Sequence, residues 1–281
     1  VNGIGINYGL LGNNLPPPSR TIEVFKSRGV KKIRIYTPDH GVLDALKGSG
    51  IEVFIGTLNQ DLPSANVAPY VKDVKISGVV VGNEVALGEY SGNLAGALRG
   101  VDRALRAAGI RVSVTTTVSY GVMGVSYPPS QGSFKSESVG VMTEVAEFLS
   151  SKGYPLLANI YPMMARSQSD GKLLYTNILD AMVDALYSAL DGIGTSNVSV
   201  IVSETGWPSS GGSYASISNA QEYNNNLVKL VGSGKGTPKR PSTEREAYIF
   251  AMYNENLKPT GIENHWGLYY PNLKEVYHVN L

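Results

Sequence analysis

Two glutamates stand where strand-like runs give way to loops. Gly78-Val-Val-Val-Gly-Asn-Glu84 and Val198-Ser-Val-Ile-Val-Ser-Glu204 are both apolar and β-branched, both close on a carboxylate, and Glu204 is followed by the breakers Gly206 and Pro208. A carboxylate at the C-terminal mouth of a strand has its backbone fixed by the strand, and the adjoining loop leaves its tip reachable. One such glutamate more often caps the next turn than reacts. Two of them suit glycoside hydrolysis, in which one carboxyl protonates the leaving oxygen and the other attacks the anomeric carbon. A separation of about 5–5.5 Å makes such a pair retaining, and about 6.5–9.5 Å leaves room for an inverting water. Asn83, beside Glu84, could donate to a sugar hydroxyl, and Glu255 in Tyr253-Asn-Glu-Asn256 could tune the pair or bind sugar.

Other chemistries find little support. His40, His265 and His278 are scattered without metal-ligand spacing, and there are no cysteines, so neither a metal nor a thiol site is expected. No G-x-S-x-G elbow occurs. The glycines of Gly3-Ile-Gly-Ile-Asn-Tyr-Gly9 are spaced one residue too long for a dinucleotide loop and lead into Pro16-Pro17-Pro18, while Gly232-Ser-Gly-Lys-Gly-Thr237 follows a helical pattern and lacks the first Walker glycine. No cofactor is expected.

The elements that must position the carboxylates alternate along the chain. Strand-like runs fall at Gly3–Gly9, Lys32–Tyr36, Glu52–Thr57, Gly78–Glu84, Arg111–Val118, Pro155–Tyr161, Val198–Glu204 and Arg245–Tyr253. Helical patterns are expected at about Ser19 to Gly29, Gly41–Lys47, Asn93–Ala108, Val139–Ser150, Asn177–Leu190 and Asn219–Val231, with a helical turn near 67–71 and a Gly/Ser/Pro-rich loop over 120–135. Alternation implies parallel strands with right-handed crossovers, and eight such units imply a single-domain (β/α)8 TIM barrel over residues 1–281. A doubly wound open sheet is the competing fold, and it would show a phosphate-type glycine loop at its first turn. In the barrel, Glu84 and Glu204 end the fourth and seventh strands, three apart in the ring, and face each other across its mouth.

Bulk composition agrees. With 42% apolar residues, 17% charged and a net charge of +1, the 281 residues can bury a core and carry no field that would gather nucleic acid or anionic lipid. Seventeen tyrosines against five Phe and two Trp suit half-wet surfaces such as sugar clefts. No run approaches the roughly 20 apolar residues of a membrane span. The chain opens on a strand without an initiator Met, which is the expectation for a mature product whose leader has been removed, and Asn197-Val198-Ser199 is a glycosylation sequon compatible with secretion.

Several motifs together resemble the plant glycoside hydrolases of family 17, the endo-β-1,3-glucanases and β-1,3-1,4-glucanases. They are Ile4-Gly-Ile-Asn-Tyr-Gly9 with Gly12-Asn-Asn-Leu-Pro16, Val81-Gly-Asn-Glu84, Gly124-Val-Ser-Tyr-Pro-Pro-Ser130, Asn159-Ile-Tyr-Pro162, Asp180-Ala-Met-Val-Asp184, Val202-Ser-Glu-Thr-Gly-Trp-Pro208 and Tyr248-Ile-Phe-Ala-Met-Tyr-Asn-Glu255. The resemblance implies a retaining endo-hydrolase of β-1,3-glucosidic linkages, with Glu84 as acid/base and Glu204 as nucleophile. By the same likeness Tyr8, Asn83, Tyr161, Glu246 and Glu255 line or support the groove. It further implies a secreted or vacuolar, cofactor-free monomer acting on β-glucan polysaccharide or oligosaccharide. Mixed-linkage hydrolysis, glucanosyl transfer and a non-catalytic glucan-binding wall protein are the alternatives. One departure stands out: Met163-Met-Ala-Arg166 runs almost directly to Tyr175-Thr-Asn177, where the family has some tens of further residues, so a more open cleft is expected.

Overall fold

The computed structural model describes residues 3–57, 69–162 and 168–281. At its centre is a closed ring of parallel strands: β1 (Ile4–Asn7), β2 (Lys32–Ile35), β3 (Glu52–Thr57), β4 (Lys75–Asn83), β5 (Ser113–Ser119), β6 (Leu156–Asn159), β7 (Val200–Thr205) and β8 (Ala247–Ile249). Each pairs with the next in chain order and β8 closes on β1, which is the (β/α)8 topology.

The strand period of two sorts the side chains. Val53, Ile55, Val79, Val81, Leu156, Ala158, Ala247 and Ile249 point outward and join the helices in one core, whereas the residues between them, Phe54, Val80, Leu157 and Tyr248, form a separate cluster within the barrel. Gly5 is required here, because a Cβ on it would lie 2.3 Å from the Tyr248 ring. Nearer the C-terminal mouth the inward residues turn polar: Asn7, Arg34, Thr117, Asn159 and Ser203, all buried. The barrel thus has an apolar plug beneath a polar layer, and that layer is the floor of the site.

The surrounding helices are α1 (Pro18–Ser27), α2 (His40–Leu46), α3 (Leu94–Ala107), α4 (Val139–Lys152), α5 (Ile178–Gly192) and α6 (Ile217–Gly232). Their limits follow local chemistry. Pro18 opens α1 with a preset φ and no donor to lose. Asp39, Asn177 and Ser216 accept from Val42, Asp180 and Asn219 N–H at 2.9, 2.8 and 3.0 Å, capping α2, α5 and α6. Gly153, at φ 68°, stops α4 in the left-handed region.

Two expectations need revising. The eighth strand is three residues long rather than nine. After Ile249 the ladder turns irregular: Phe250 and Met252 still donate to the Thr205 and Asn7 carbonyls of the neighbouring strands, Ala251 donates to the Trp266 carbonyl of a distant loop, and Phe250 lines the cleft. The loop over 120–135 contains a short antiparallel pair, Met123–Val125 with Ser133–Phe134, and a second pair joins Gln168–Asp170 to Leu173–Tyr175. The turn expected at 67–71 falls partly outside the described residues.

Candidate active site

Strict alternation along β7 would send Glu204 to the helix side with Val200 and Val202. It does not, because β7 carries one extra residue against β6: Val202 lies opposite Ala158, and Glu204 lies opposite the next residue, Asn159. This bulge lets Ser203 and Glu204 both turn to the mouth of the barrel. β4 has a bulge too, with Val80 opposite Thr115 and Asn83 opposite Thr117. Glu84 follows it at φ 61°, ψ 31°, a left-handed conformation that costs a non-glycine residue about 1 kcal/mol or more.

Glu204 is 7% exposed and heavily bonded. Its Oε1 accepts from Arg34 Nη1 at 3.0 Å and from the Tyr36 hydroxyl at 2.6 Å, and its Oε2 accepts from the Tyr161 hydroxyl at 2.8 Å. Arg34 is 1% exposed, so its charge depends on these anionic and polar partners. Its Nη1 also reaches Asn159 Oδ1 at 3.3 Å, while Nη2 donates to Asn83 Oδ1 at 2.9 Å and Thr117 Oγ1 at 3.1 Å. Asn159 then donates from Nδ2 to Glu84 Oε1 at 2.8 Å. One network, Glu204–Arg34–Asn159–Glu84, therefore carries both carboxylates. Glu84 itself is exposed.

Burial, reinforced by the charge of Glu204, holds the Tyr36 and Tyr161 phenols well above the ordinary tyrosine value, so both remain donors over the whole neutral range. Three donors thus converge on one carboxylate. Above the pair opens a cleft of about 970 Å³ whose lining mixes carboxylates with the aromatic rings of Tyr36, Tyr161, Trp207, Tyr214, Phe250 and Trp266. Convergent polar groups on an aromatic floor are the composition of a sugar site.

The model of the glycosyl hydrolases family 17 matches residues 4–281. The chain belongs to family 17. A putative glucan endo-1,3-beta-glucosidase, GVI, of Hordeum vulgare is 40% identical, covering 100% of this chain and 97% of its own length. Lichenase-2 of the same plant is 42% identical, covering 100% and 99%. Among solved structures, a beta-1,3-glucanase and allergen of Cryptomeria japonica pollen, CJP38, superposes with a TM-score of 0.95 at 37% identity over 99% of both chains. The GVI alignment spans 315 positions against 281 residues here, so at least 34 positions (315 less 281) lack a residue in this chain. Of the stretch between Pro162 and Asn177 in which the shortening is expected, residues 163–167 lie outside the described residues.

Within this family 17 barrel the residues singled out from sequence divide. Glu84, Asn83, Tyr161, Glu204 and Glu255 all line the cleft. Glu255, 3% exposed, accepts from Leu11 N–H at 2.8 Å and pairs with Lys258 at 2.9 Å, so it ties the β1 loop to the cleft wall. Tyr8 borders the cleft with its side chain turned away: it is 1% exposed, bonded to Thr21 Oγ1 at 3.3 Å and packed on Phe25 and Tyr253. Glu246 is not brought to the site. It precedes β8 at the opposite end of the barrel, where it accepts from Lys32 Nζ at 2.6 Å and from the Tyr248 hydroxyl at 2.9 Å. The groove role expected of its side chain is therefore corrected to a structural one.

Sequence reasoning missed Arg34, Tyr36 and Trp266. The signal for Arg34 was present: in Lys32-Ile-Arg-Ile35 the isoleucines take the outward face, so an arginine between them is forced into the barrel and needs an anion there. Tyr36 ends that strand as Glu84 and Glu204 end theirs. Trp266 comes from a distant loop that no strand pattern marks.

Proposed function

We propose that this family 17 hydrolase cleaves internal β-1,3-glucosidic linkages of β-glucans by double displacement. A Glu204 oxygen attacks C1 of the glucosyl unit while Glu84 gives its proton to the departing glycosidic oxygen. Glu84 then takes a proton from water, which attacks C1 and releases Glu204, so two inversions retain the configuration. The observation that carries this assignment is the unequal setting of the two carboxylates. Glu204 is buried under donors from Arg34, Tyr36 and Tyr161, the setting of an anionic nucleophile, whereas Glu84 accepts from Asn159 and lies exposed to solvent, the setting of an acid/base.

Laminarin turnover tests the reading: Glu204→Ala and Glu84→Gln both lose activity on it, and near-full activity in either sinks the assignment. The 42% identity to a lichenase supports a second reading, mixed-linkage hydrolysis at the same pair. Product analysis on laminarin and on mixed-linkage glucan separates the two, and also detects glucanosyl transfer. Secretion or vacuolar delivery belongs to the same proposal. It is supported by the exposed Asn197 sequon, and glycosidase treatment of the native protein checks it. Among the described residues, no helix is long and apolar enough to cross a membrane.

A further inference from the structure

Beyond Trp207 the chain leaves β7 as the loop 208–216, which carries Tyr214 to the cleft. Tyr214 lines the cleft with 57% of its surface exposed. A lone exposed aromatic means little by itself; this one sits on a stiff mount. Its carbonyl accepts from Trp207 Nε1 at 2.8 Å and from Asn219 Nδ2 at 3.0 Å. Trp207 packs on Tyr223 with centroids 6.0 Å apart, and the Tyr223 hydroxyl bonds Thr205, the neighbour of Glu204. The other flank is braced as well. Gly211, at φ 91°, lies so close to Gly261 that a Cβ would stand 2.4 Å from its backbone, and Gly212 packs against Ile262. Ile262 and Glu263 line the same cleft.

We propose that Tyr214, together with Glu263 of the same cleft lining, forms a glucosyl-binding subsite distal to the Glu84–Glu204 centre. It rests on the β-glucan reading above. A glucosyl ring presents an apolar C–H face that packs on an aromatic face, and its hydroxyls find an acceptor in a carboxylate. Because the backbone is already fixed from both sides, little ordering cost is left for binding. The subsite adds affinity for longer chains and leaves the chemical step alone.

The test compares Tyr214→Ala and Tyr214→Phe with the wild type on laminarihexaose and on a short aryl β-laminaribioside, with affinities measured by calorimetry in the unreactive Glu204→Gln background. Tyr214→Ala raises KM and Kd for the hexaose about five- to tenfold, the range of one aromatic contact, with kcat unchanged. The short glycoside is unaffected, and Tyr214→Phe stays within about twofold because the ring does the work. Unchanged KM and Kd at both lengths, or equal losses at both, overturn the subsite. Failure of the β-glucan reading looks different: the wild type then turns over neither substrate and the hexaose does not bind, which removes both proposals.

Discussion

Glu204 and Glu84 close strands of one barrel, both just after a bulge, and the barrel treats them oppositely. Glu204 sits 7% exposed under donors from Arg34, Tyr36 and Tyr161, one of them a buried guanidinium, whereas Glu84 is exposed, left-handed in its backbone and accepts from the Asn159 amide. The lesson is that a role is set by the donors a strand end meets. The number of donors depends in turn on which neighbouring strands send polar side chains inward at that height. β2 and β6 supply Arg34, Tyr36, Asn159 and Tyr161 around Glu204, and most of that supply is spent before it reaches Glu84. The largest test breaks the comparison by removing either carboxylate. Glu204→Ala lowers kcat on laminarin by about four orders of magnitude. Glu84→Gln costs about 10²–10⁴-fold on laminarin, and far less in the first step on an aryl glycoside whose leaving group needs no proton. Added azide then tests the proposed roles: Glu204→Ala is expected to yield the α-glycosyl azide, one inversion, and Glu84→Gln the β-azide, two.

Arg34 is the next most sensitive point, since it binds the Glu204 side and the Asn159–Glu84 side at once. Arg34→Met strands Glu204 in a buried position without its cation. The expected cost is about 3–5 kcal/mol of stability, read by denaturant melting, with a kcat loss of about 100-fold. Arg34→Lys restores the charge but not the fork that spans Glu204, Asn83 and Thr117, so it recovers part of the stability and little of kcat. A fully active Arg34→Lys enzyme would show that charge alone suffices and that the fork is incidental.

The two tyrosines act more weakly. Tyr36→Phe and Tyr161→Phe each delete one hydrogen-bond donor to Glu204. Each change lowers kcat/KM on laminarin by about tenfold. At the alkaline end the sign follows from the phenols themselves. Burial first, then the charge of Glu204, raises both above their ordinary value, so the folded state holds these protons more tightly than the unfolded chain. Their contribution to stability is complete below about pH 10 and is lost as pH rises toward the raised values. A melting temperature that falls with pH beyond about 10, less steeply in the Phe variants, is the expected result.

The barrel was legible because its outward faces must be apolar in a fixed alternation, and Val53, Ile55, Val79 and Val81 keep that pattern without interruption. The carboxylate pair was legible because both glutamates stand at strand ends. What the pattern hid follows from departures from alternation. The bulges before Glu84 and Glu204 leave no mark in composition, and on strict alternation Glu204 would have pointed at a helix. Tyr8 shows the converse, for a strand-end tyrosine that looked ready for sugar turns to Thr21 and Phe25 because its position faces α1. The short eighth strand was unreadable for a related reason: Phe250–Tyr253 is apolar under a cleft floor just as it would be in a ladder.

The smallest effect is predicted where a third glutamate ends up at the wrong end of the barrel. Glu246 binds Lys32 Nζ at 2.6 Å and the Tyr248 hydroxyl at 2.9 Å, and the Tyr248 ring belongs to the apolar plug that separates this end from the polar layer under the cleft. Glu246→Gln keeps an acceptor for Tyr248 but leaves Lys32 with Glu52, 4.0 Å away, as its remaining anion. The pair is partly solvated, so the loss of stability is about 1 kcal/mol, seen as a small drop in melting temperature. Activity stays within about twofold, because an apolar layer of Phe54, Val80, Leu157 and Tyr248 separates one mouth of the barrel from the other. A tenfold fall in kcat with a near-native melt would mean that the plug transmits what happens beneath it. The contrast between Glu204 and Glu84 would then depend on the whole barrel rather than on the donors around each carboxylate.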